Sequence, residues 1–192
     1  MDKRVIRTKN SIKTAYMQLT LANEPGKLTV SDVAQKAGIN RSTFYLHYAD
    51  IASIEEDIDK EFAEVIEKCV EDFDITDVYK SIYNVFSFLT SALDREAVKK
   101  NYIISSTESK NVLLKLKRTI VEKAMQAITS AFPDSDASGL EIPLTYASAG
   151  IVDSYAQWSK TSGNTVSLET LIRQVSAITE YIIEDITVKR RV

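Results

Sequence analysis

The chain has 192 residues, of which 44% are apolar, so it can bury a core and is not a disordered polypeptide. It contains only five glycines and three prolines, which argues against a turn-rich β fold and favours long helices. The net charge of −3 is uneven: residues 1–50 carry eight basic and four acidic side chains, whereas the remaining 142 carry 16 basic and 23 acidic ones. A basic head before an acidic body suggests a polyanionic partner for the head, although charge alone leaves a chance fluctuation open.

The compartment is predicted from three absences in the sequence. The single cysteine, Cys69, has no intramolecular disulfide partner, which suits a reducing environment. Residues 1–14 are polar and basic and lack the apolar core of a signal peptide. No apolar run approaches the roughly 18 residues of a membrane span. We therefore expect a cytoplasmic protein without a membrane partner.

The first helix is predicted over residues 3–22. Ile12, Ala15, Tyr16 and Leu19 recur at helical spacing and mark its buried side. The sequence Glu24-Pro25-Gly26 should end it, because proline cannot continue a helix and glycine accepts the following turn.

The segment from Thr29 to Tyr48 predicts two short helices joined by a tight turn. Thr29 is a good N-cap, with Asp32 placed to favour the positive end of the helix. Gly38 permits a turn with positive φ, and Asn40 should cap a second helix over about residues 41–48. This layout is that of a helix-turn-helix.

The second of these helices has two distinct faces. Phe44 and Tyr48 lie four residues apart and should face inward, whereas Arg41, Ser42 and Tyr45 should face outward. Thr43 and His47 are expected at the margins. Arginine, serine and threonine in a first turn can contact base edges in the major groove, while residues further along reach phosphates.

Further helices are predicted over about residues 50–73, 76–93, 95–105, 110–131, 140–161 and 167–187, and no strand is expected. In the helix that begins at Asp50, acidic residues at 55–57 are expected to favour the helix dipole rather than to be catalytic. Loops are expected at Pro133-Asp-Ser-Asp and at Thr161-Ser-Gly-Asn.

The string T-V-x-D-V-A-x-x-A-G-I-x-x-S-T-F-Y-x-H-Y within residues 29–48 closely resembles the signature of TetR/AcrR-family transcriptional regulators, with a match over about residues 7–58. The body, around Gly150–Trp158, resembles a compact C-terminal domain common in low-GC Gram-positive bacteria. The resemblance implies an all-α chain with a three-helix DNA-binding domain at 1–50 and a helical ligand-binding and dimerisation domain at 51–192. It also implies a set of DNA-contacting residues: Thr29, Ser31, Arg41, Ser42, Thr43, Tyr45 and His47.

One position departs from the family pattern. Where the family usually has lysine shortly after the recognition helix, this chain has Ile51. The loss of one phosphate contact should weaken non-specific binding. We expect Lys3, Arg4 and Arg7 of the first helix to compensate in part.

Two further sets of residues are predicted in the body. Aromatic residues with polar tips suit a cavity for an amphipathic effector, although ordinary core packing is the alternative for each of them. The predicted lining residues are Tyr79, Tyr83, Phe86, Tyr102, Met125, Tyr146 and Tyr155. The last two helices carry more apolar positions than one buried face needs, which favours a homodimer. The predicted interface residues are Ile151, Tyr155, Trp158, Leu171, Val175, Ile178 and Ile182.

Enzymatic functions are disfavoured by the residues that the chain lacks. Its five glycines form no phosphate-binding loop, and its only histidine, His47, lies in the recognition helix. No residues have metal-ligand spacing, and no cofactor is expected. The predicted function is a ligand-responsive repressor that binds a palindromic DNA operator as a homodimer. A co-regulator that has lost DNA binding, or a helical scaffold, remains the alternative.

Overall fold

The computed structural model describes residues 2–22, 28–93, 97–105, 110–131, 133, 138–161 and 166–188. Within them the chain forms helices and no strand, which confirms the predicted all-α fold. The turn predicted at Glu24-Pro25-Gly26 and most of the two later loops lie outside the described residues. The helices are α1 (Lys3–Ala22), α2 (Val30–Lys36), α3 (Arg41–Tyr45), α4 (Ile51–Cys69), α5 (Val78–Leu93), α6 (Ala97–Ser105), α7 (Lys110–Ala131), α8 (Glu141–Lys160) and α9 (Leu168–Val188).

Two helices end earlier than their apolar periodicity predicted. α3 stops at Tyr45 because the N–H groups of Leu46 and His47 bond three residues back, which tightens the chain into a turn. α4 stops at Cys69 rather than near residue 73 for the same reason, since Glu71 and Phe73 also make bonds three residues back. Apolar spacing therefore located both helices, whereas local hydrogen bonding set their ends.

Contacts divide the chain into two compact units, the first made of residues 1–64 and 93–112 and the second of residues 65–92 and 113–192. The first unit thus contains α6 as well as the three N-terminal helices and most of α4. The boundary at residue 50 between a DNA-binding and a ligand-binding domain stays a prediction.

The first unit has an aromatic core. Tyr16 and Phe62 each contact the ring of Tyr102, with ring centroids 6.3 and 6.4 Å apart. Ile12 and Ile58 are also buried, at 0% and 2% exposed. One residue from each of α1, α4 and α6 therefore meets in one contact group, which fixes these three helices against each other.

Charged side chains bind the same three helices together at the edge of this core. Glu61 of α4 accepts hydrogen bonds from Lys13 of α1 at 2.6 Å and from Lys99 of α6 at 2.8 Å. Partial burial alone would raise the pKa of Glu61, but the bonds from the two lysines hold it below its ordinary value. Glu61 is therefore ionised throughout the neutral range.

The second unit is built around a mostly aliphatic core. Leu144 of α8 belongs to a cluster with Ile128 and Leu140, against which Ile183 and Ile186 of α9 pack. The N-terminal half of α8 therefore lies beside the C-terminal half of α9. Cys69 is buried in this unit, where desolvation raises its pKa to about 12, so the thiol stays protonated at neutral pH.

We predict that Glu61→Gln lowers the free energy of unfolding by about 1 kcal/mol at pH 7, a modest value because about a third of the side chain is exposed to screening solvent. The pKa of Glu61 is depressed in the folded state, so its contribution is present above the unfolded pKa of about 4.3 and is lost as pH falls through the folded value. Urea unfolding at pH 7 and at pH 3.5 should show the difference between wild type and variant shrink in acid. The exposed Glu56 of the same helix provides the control, since Glu56→Gln should change little at either pH.

Candidate nucleic-acid interface

α2 begins with a complete capping box. The Thr29 hydroxyl accepts a hydrogen bond from the backbone N–H of Asp32, and the Asp32 carboxylate accepts one from the backbone N–H of Thr29 at 2.9 Å. The bonds from Thr29 also hold the pKa of Asp32 below its ordinary value. The cap predicted from the sequence is confirmed, and it fixes the exposed start of α2, where Thr29 and Ser31 face solvent.

The turn between α2 and α3 is a Schellman motif centred on Gly38. The N–H of Ile39 bonds to the carbonyl of Ala34, and the N–H of Gly38 bonds to the carbonyl of Gln35. Gly38 has a φ of +70°, as predicted, which a residue with a Cβ adopts only with strain. Val33 and Ala34 are buried beside the turn, so α2 and α3 hold a fixed angle.

α3 and the turn of residues 46–48 that follows it have a buried and an exposed side. Phe44 is 0% and Tyr48 4% exposed. On the other side the side chains face solvent, and they are Arg41, Ser42, Tyr45 and Leu46. Thr43 and His47 are half-buried at the margins. The structure thus brings the predicted recognition residues onto one short surface and adds Leu46, which the sequence analysis did not single out although it follows Ser42 by four residues.

The first turn of α3 is organised by Asn40. Its side-chain oxygen accepts hydrogen bonds from the Thr43 backbone N–H at 3.1 Å and from the hydroxyls of Ser42 and Thr43 at 2.9 and 2.7 Å. Both hydroxyl protons are therefore engaged within the chain, while the oxygen lone pairs remain as acceptors. Ser42 and Thr43 can accept a hydrogen bond from a base without losing these contacts.

The buried side of α3 is anchored to α4 and α1. The Tyr48 hydroxyl donates to the Asp57 carboxylate at 2.6 Å, and Lys9 lies 5.0 Å from the centre of the Tyr48 ring and 3.4 Å from Asp57. Burial, together with the bond to Asp57, raises the pKa of Tyr48 well above its ordinary value, so it remains a donor at all relevant pH values. These contacts fix the C-terminal end of α3 and involve none of the residues on its exposed side.

The basic residues of α1 fall into two groups. Lys3, Arg4 and Arg7 are exposed on its first two turns. Lys9 and Lys13, by contrast, pair with the acidic side chains of α4. The first group is therefore the more exposed of the two.

The residues predicted to line an effector cavity are distributed over both units. Phe86 and Tyr155 are buried in contact, with ring centroids 5.1 Å apart, and the Tyr155 hydroxyl lies 3.1 Å from the Thr90 hydroxyl. Tyr102 belongs to the first unit and packs there with Tyr16 and Phe62. Met125 packs beside the aliphatic cluster of the second unit. The other three predicted residues are substantially exposed, namely Tyr79 at 41%, Tyr83 at 49% and Tyr146 at 71%.

The residues predicted at a dimer interface differ in how much surface they offer. Ile151, Tyr155 and Val175 are buried in the chain's own core, at 2%, 5% and 8% exposed, and leave little surface for a partner. Trp158, Leu171 and Ile182 are half-buried. Ile178 is 62% exposed, and two large residues of α8 and α9 that the sequence pattern did not indicate are exposed to a similar extent, Ile142 at 79% and Tyr181 at 72%.

Two general features of the described residues bear on the kind of site. No three His, Cys, Asp or Glu side chains in this part of the chain come together as metal ligands would. None of the described helices is both long enough and apolar enough to cross a membrane.

Similarity to known proteins supports the fold. No protein-family model matches the chain. An uncharacterized HTH-type transcriptional regulator of Bacillus subtilis, YxbF, is 35% identical over 51 residues, which span 26% of this chain and 13% of that protein.

Solved structures match over most of their length. The fatty acid degradation regulator FadR from Bacillus halodurans superposes with a TM-score of 0.62 at 14% identity, over 89% of this chain and 93% of that one. A TetR transcriptional regulator from Streptococcus agalactiae gives 0.62 at 15% identity, covering 93% and 97%. A TetR-family regulator from Haemophilus influenzae gives 0.60 at 14%, covering 92% and 98%. The chain has the fold of TetR-family regulators, as the sequence motif predicted.

We predict that Asn40→Ala lowers the stability of the protein by about 1 kcal/mol, because the N-cap of a five-residue helix and the tether of two hydroxyls are lost together. Asn40→Ser retains a capping oxygen and should therefore lower the stability much less than Asn40→Ala does. Thermal unfolding of the two variants beside wild type measures the difference. Equal midpoints for the alanine and serine variants would show that the cap does not stabilise α3.

Proposed function

We propose that the chain is a DNA-binding transcriptional regulator that reads its operator through α3, with repression as the regulatory outcome. The observation that carries the proposal is the exposed side of α3, which we call the recognition surface. Its outward residues Arg41, Ser42 and Tyr45 lie opposite a side anchored by Phe44 and Tyr48. A short helix held in this way can enter the major groove without rearrangement of the fold.

The chemistry of the outward residues suits distinct contacts with DNA. Arg41 in the first turn can donate two hydrogen bonds to guanine, and the oxygens of Ser42 and Thr43 can meet base edges. Tyr45 and His47 lie further along and suit phosphates, as do Thr29 and Ser31 at the exposed start of α2. Lys3, Arg4 and Arg7 would supply the phosphate contacts that Ile51 cannot make.

A homodimer is part of the proposal, and its support is an exposed surface on α8 and α9. On α8, Tyr146 and Gly150 are exposed and four residues apart. On α9, Ala177, Ile178 and Tyr181 are exposed at matching helical spacing. Large apolar residues beside small ones allow a second copy to approach closely and to cover them. The result would be a two-fold four-helix contact.

Two-fold symmetry would match a palindromic operator. Each protomer would present one α3 to one half-site, and the half-sites of helix-turn-helix dimers lie roughly 34–36 Å apart, or a multiple of that distance. A recognition surface of a few residues gains specificity when it is used twice.

Response to a small amphipathic effector is the remaining part of the proposal. Its support is the contact between buried Phe86 and Tyr155, beside which the hydroxyls of Tyr155 and half-buried Thr90 lie within hydrogen-bond distance. Such a group resembles the lining of a ligand site more than a purely aliphatic core does. An effector would act by binding the DNA-competent and DNA-incompetent states with different affinity.

The alternatives are a co-regulator that no longer binds DNA and a helical scaffold, neither of them an enzyme. Both predict a chain that lacks sequence preference for DNA. The outward surface of α3 argues against both alternatives, because none of Arg41, Ser42 and Thr43 is an acidic or obstructing residue that would keep the helix out of the major groove.

We predict that Arg41→Ala weakens binding to the selected operator by about 1–3 kcal/mol and relaxes base preference at one position of each half-site. Tyr45→Ala should weaken binding to operator and to unrelated DNA alike, because phosphate contacts carry no sequence information. Electrophoretic mobility shifts against both kinds of DNA distinguish the two effects.

The control for Arg41→Ala is Arg118→Ala, which removes an exposed arginine from α7 and should leave DNA binding unchanged. If wild type shows no preference for any sequence in the library from which operators are selected, the co-regulator or scaffold alternative is correct. Operator binding that survives both α3 substitutions would mean that another surface reads the DNA.

For the dimer, we predict that wild type sediments at about 43 kDa, twice the 21.5 kDa of the chain, at micromolar concentration. Ile178→Glu should give a monomer, because burying an unpaired carboxylate at the dimer contact costs more free energy than the contact contributes. The side chain is 62% exposed in the single chain, so the fold should survive. Leu114→Glu, at a 46% exposed position of α7, is the matched control and should remain dimeric. A monomeric wild type would refute the dimer.

A further inference from the structure

Leu46 has the most exposed large apolar side chain in the described part of the protein. It is 81% exposed, and it lies at the C-terminal end of α3, on the recognition surface itself. None of the contacts proposed above uses it. Leu46 lies beside polar residues on this surface, and an apolar group on the DNA is the partner that its side-chain chemistry fits.

Leu46 belongs to the outward surface by backbone geometry. Leu46 is the C-cap residue of α3, and its φ of −72° and ψ of −18° lie in the right-handed helical region, so the tight turn that ends α3 still follows a helical course at this residue. Ser42 precedes it by four residues, which places the two side chains on one side of the helix. Phe44 and Tyr48 are buried on the other side and hold the helix in this orientation. Leu46 therefore faces wherever Ser42 faces.

The chemistry of leucine limits what it can recognise on DNA. It has no polar group on its side chain, so it neither pairs with phosphate nor reads a hydrogen-bonding pattern. On the edges of unmodified base pairs in the major groove, the apolar group available to it is the 5-methyl group of thymine. The surrounding residues, Arg41 and Ser42, supply the polar contacts with neighbouring bases.

We propose that Leu46 is a specificity residue that contacts the 5-methyl group of one thymine in each half-site of the operator. This inference rests on the proposed DNA-reading function of α3. It predicts a particular kind of recognition: the base at that position is selected for its methyl group and not for its hydrogen bonds.

The first experiment selects binding sites from a random double-stranded DNA library with wild type, with Leu46→Ala and with Leu114→Ala. Wild type and Leu114→Ala, which shortens an exposed leucine of α7, should both enrich thymine at one symmetric position. Leu46→Ala should keep the preferences at the other positions and lose this one.

The second experiment changes the DNA and leaves the protein intact. Replacing that thymine with deoxyuridine removes only the methyl group. Wild-type affinity should fall about fourfold for one half-site and about fifteenfold for both, the loss expected for one buried methyl group per site. The affinity of Leu46→Ala should change less than twofold with the same probe. At that position 5-methylcytosine, which carries the same methyl group, should bind wild type better than cytosine by a similar factor.

The outcomes separate this inference from the function on which it rests. If wild type enriches no sequence, the proposed function fails, and the role of Leu46 fails with it. If wild type enriches a site but deoxyuridine has no effect at any thymine, or if Leu46→Ala selects the same site, DNA reading by α3 stands and Leu46 is not a thymine contact. Sensitivity to deoxyuridine that is equal in wild type and Leu46→Ala also overturns the inference, because another residue then makes the contact.

Discussion

The anchoring of α3 by Tyr48 is the interaction on which the recognition surface depends. A helix of five residues is far too short to be stable by itself, so its position must come from neighbouring elements. Tyr48 provides this through its hydrogen bond to Asp57 of α4 and through its contact with Lys9 of α1. Because the buried phenol and the half-buried carboxylate and ammonium satisfy one another, the contact stabilises the unit without leaving an unpaired charge.

This anchoring also explains how the positive charge of the N-terminal segment is used. A count along the sequence places all lysines and arginines of this segment in one polyanion-binding set. In the structure, however, Lys9 and Lys13 pair with acidic residues of α4. Both of these contribute to internal structure, while Lys3, Arg4 and Arg7 face solvent. A net charge computed along a segment overstates the charge available to a ligand when the partners lie about fifty residues away.

Local patterns predicted the features that local physics controls, and the tertiary pairings lay beyond them. The capping box at Thr29, the positive φ of Gly38 and the two sides of α3 each follow from a few neighbouring residues, and all three are present. The sequence indicates only that the acidic residues 55–57 of α4 favour the helix dipole, and no spacing rule links Glu61 to Lys13 forty-eight residues earlier. In α8 and α9, periodicity identified apolar positions but not what covers them. Of the apolar positions in these two helices, Ile151 and Val175 are buried within the chain, whereas Ile142, Tyr146 and Tyr181 are exposed, a difference that periodicity does not reveal.

Under the proposed function, the exposed apolar residues at the end of α3 and on α8 and α9 play the same physical part. Each exposed leucine, isoleucine or tyrosine costs little in stability but presents apolar surface to water, so covering it with a partner is favourable. DNA would cover the first surface and a second copy the other. The free energies of two equivalent half-site contacts add. The modest factor by which one protomer prefers thymine is therefore squared in the affinity of the dimer. A five-residue helix can then achieve selectivity that its own few contacts would not provide.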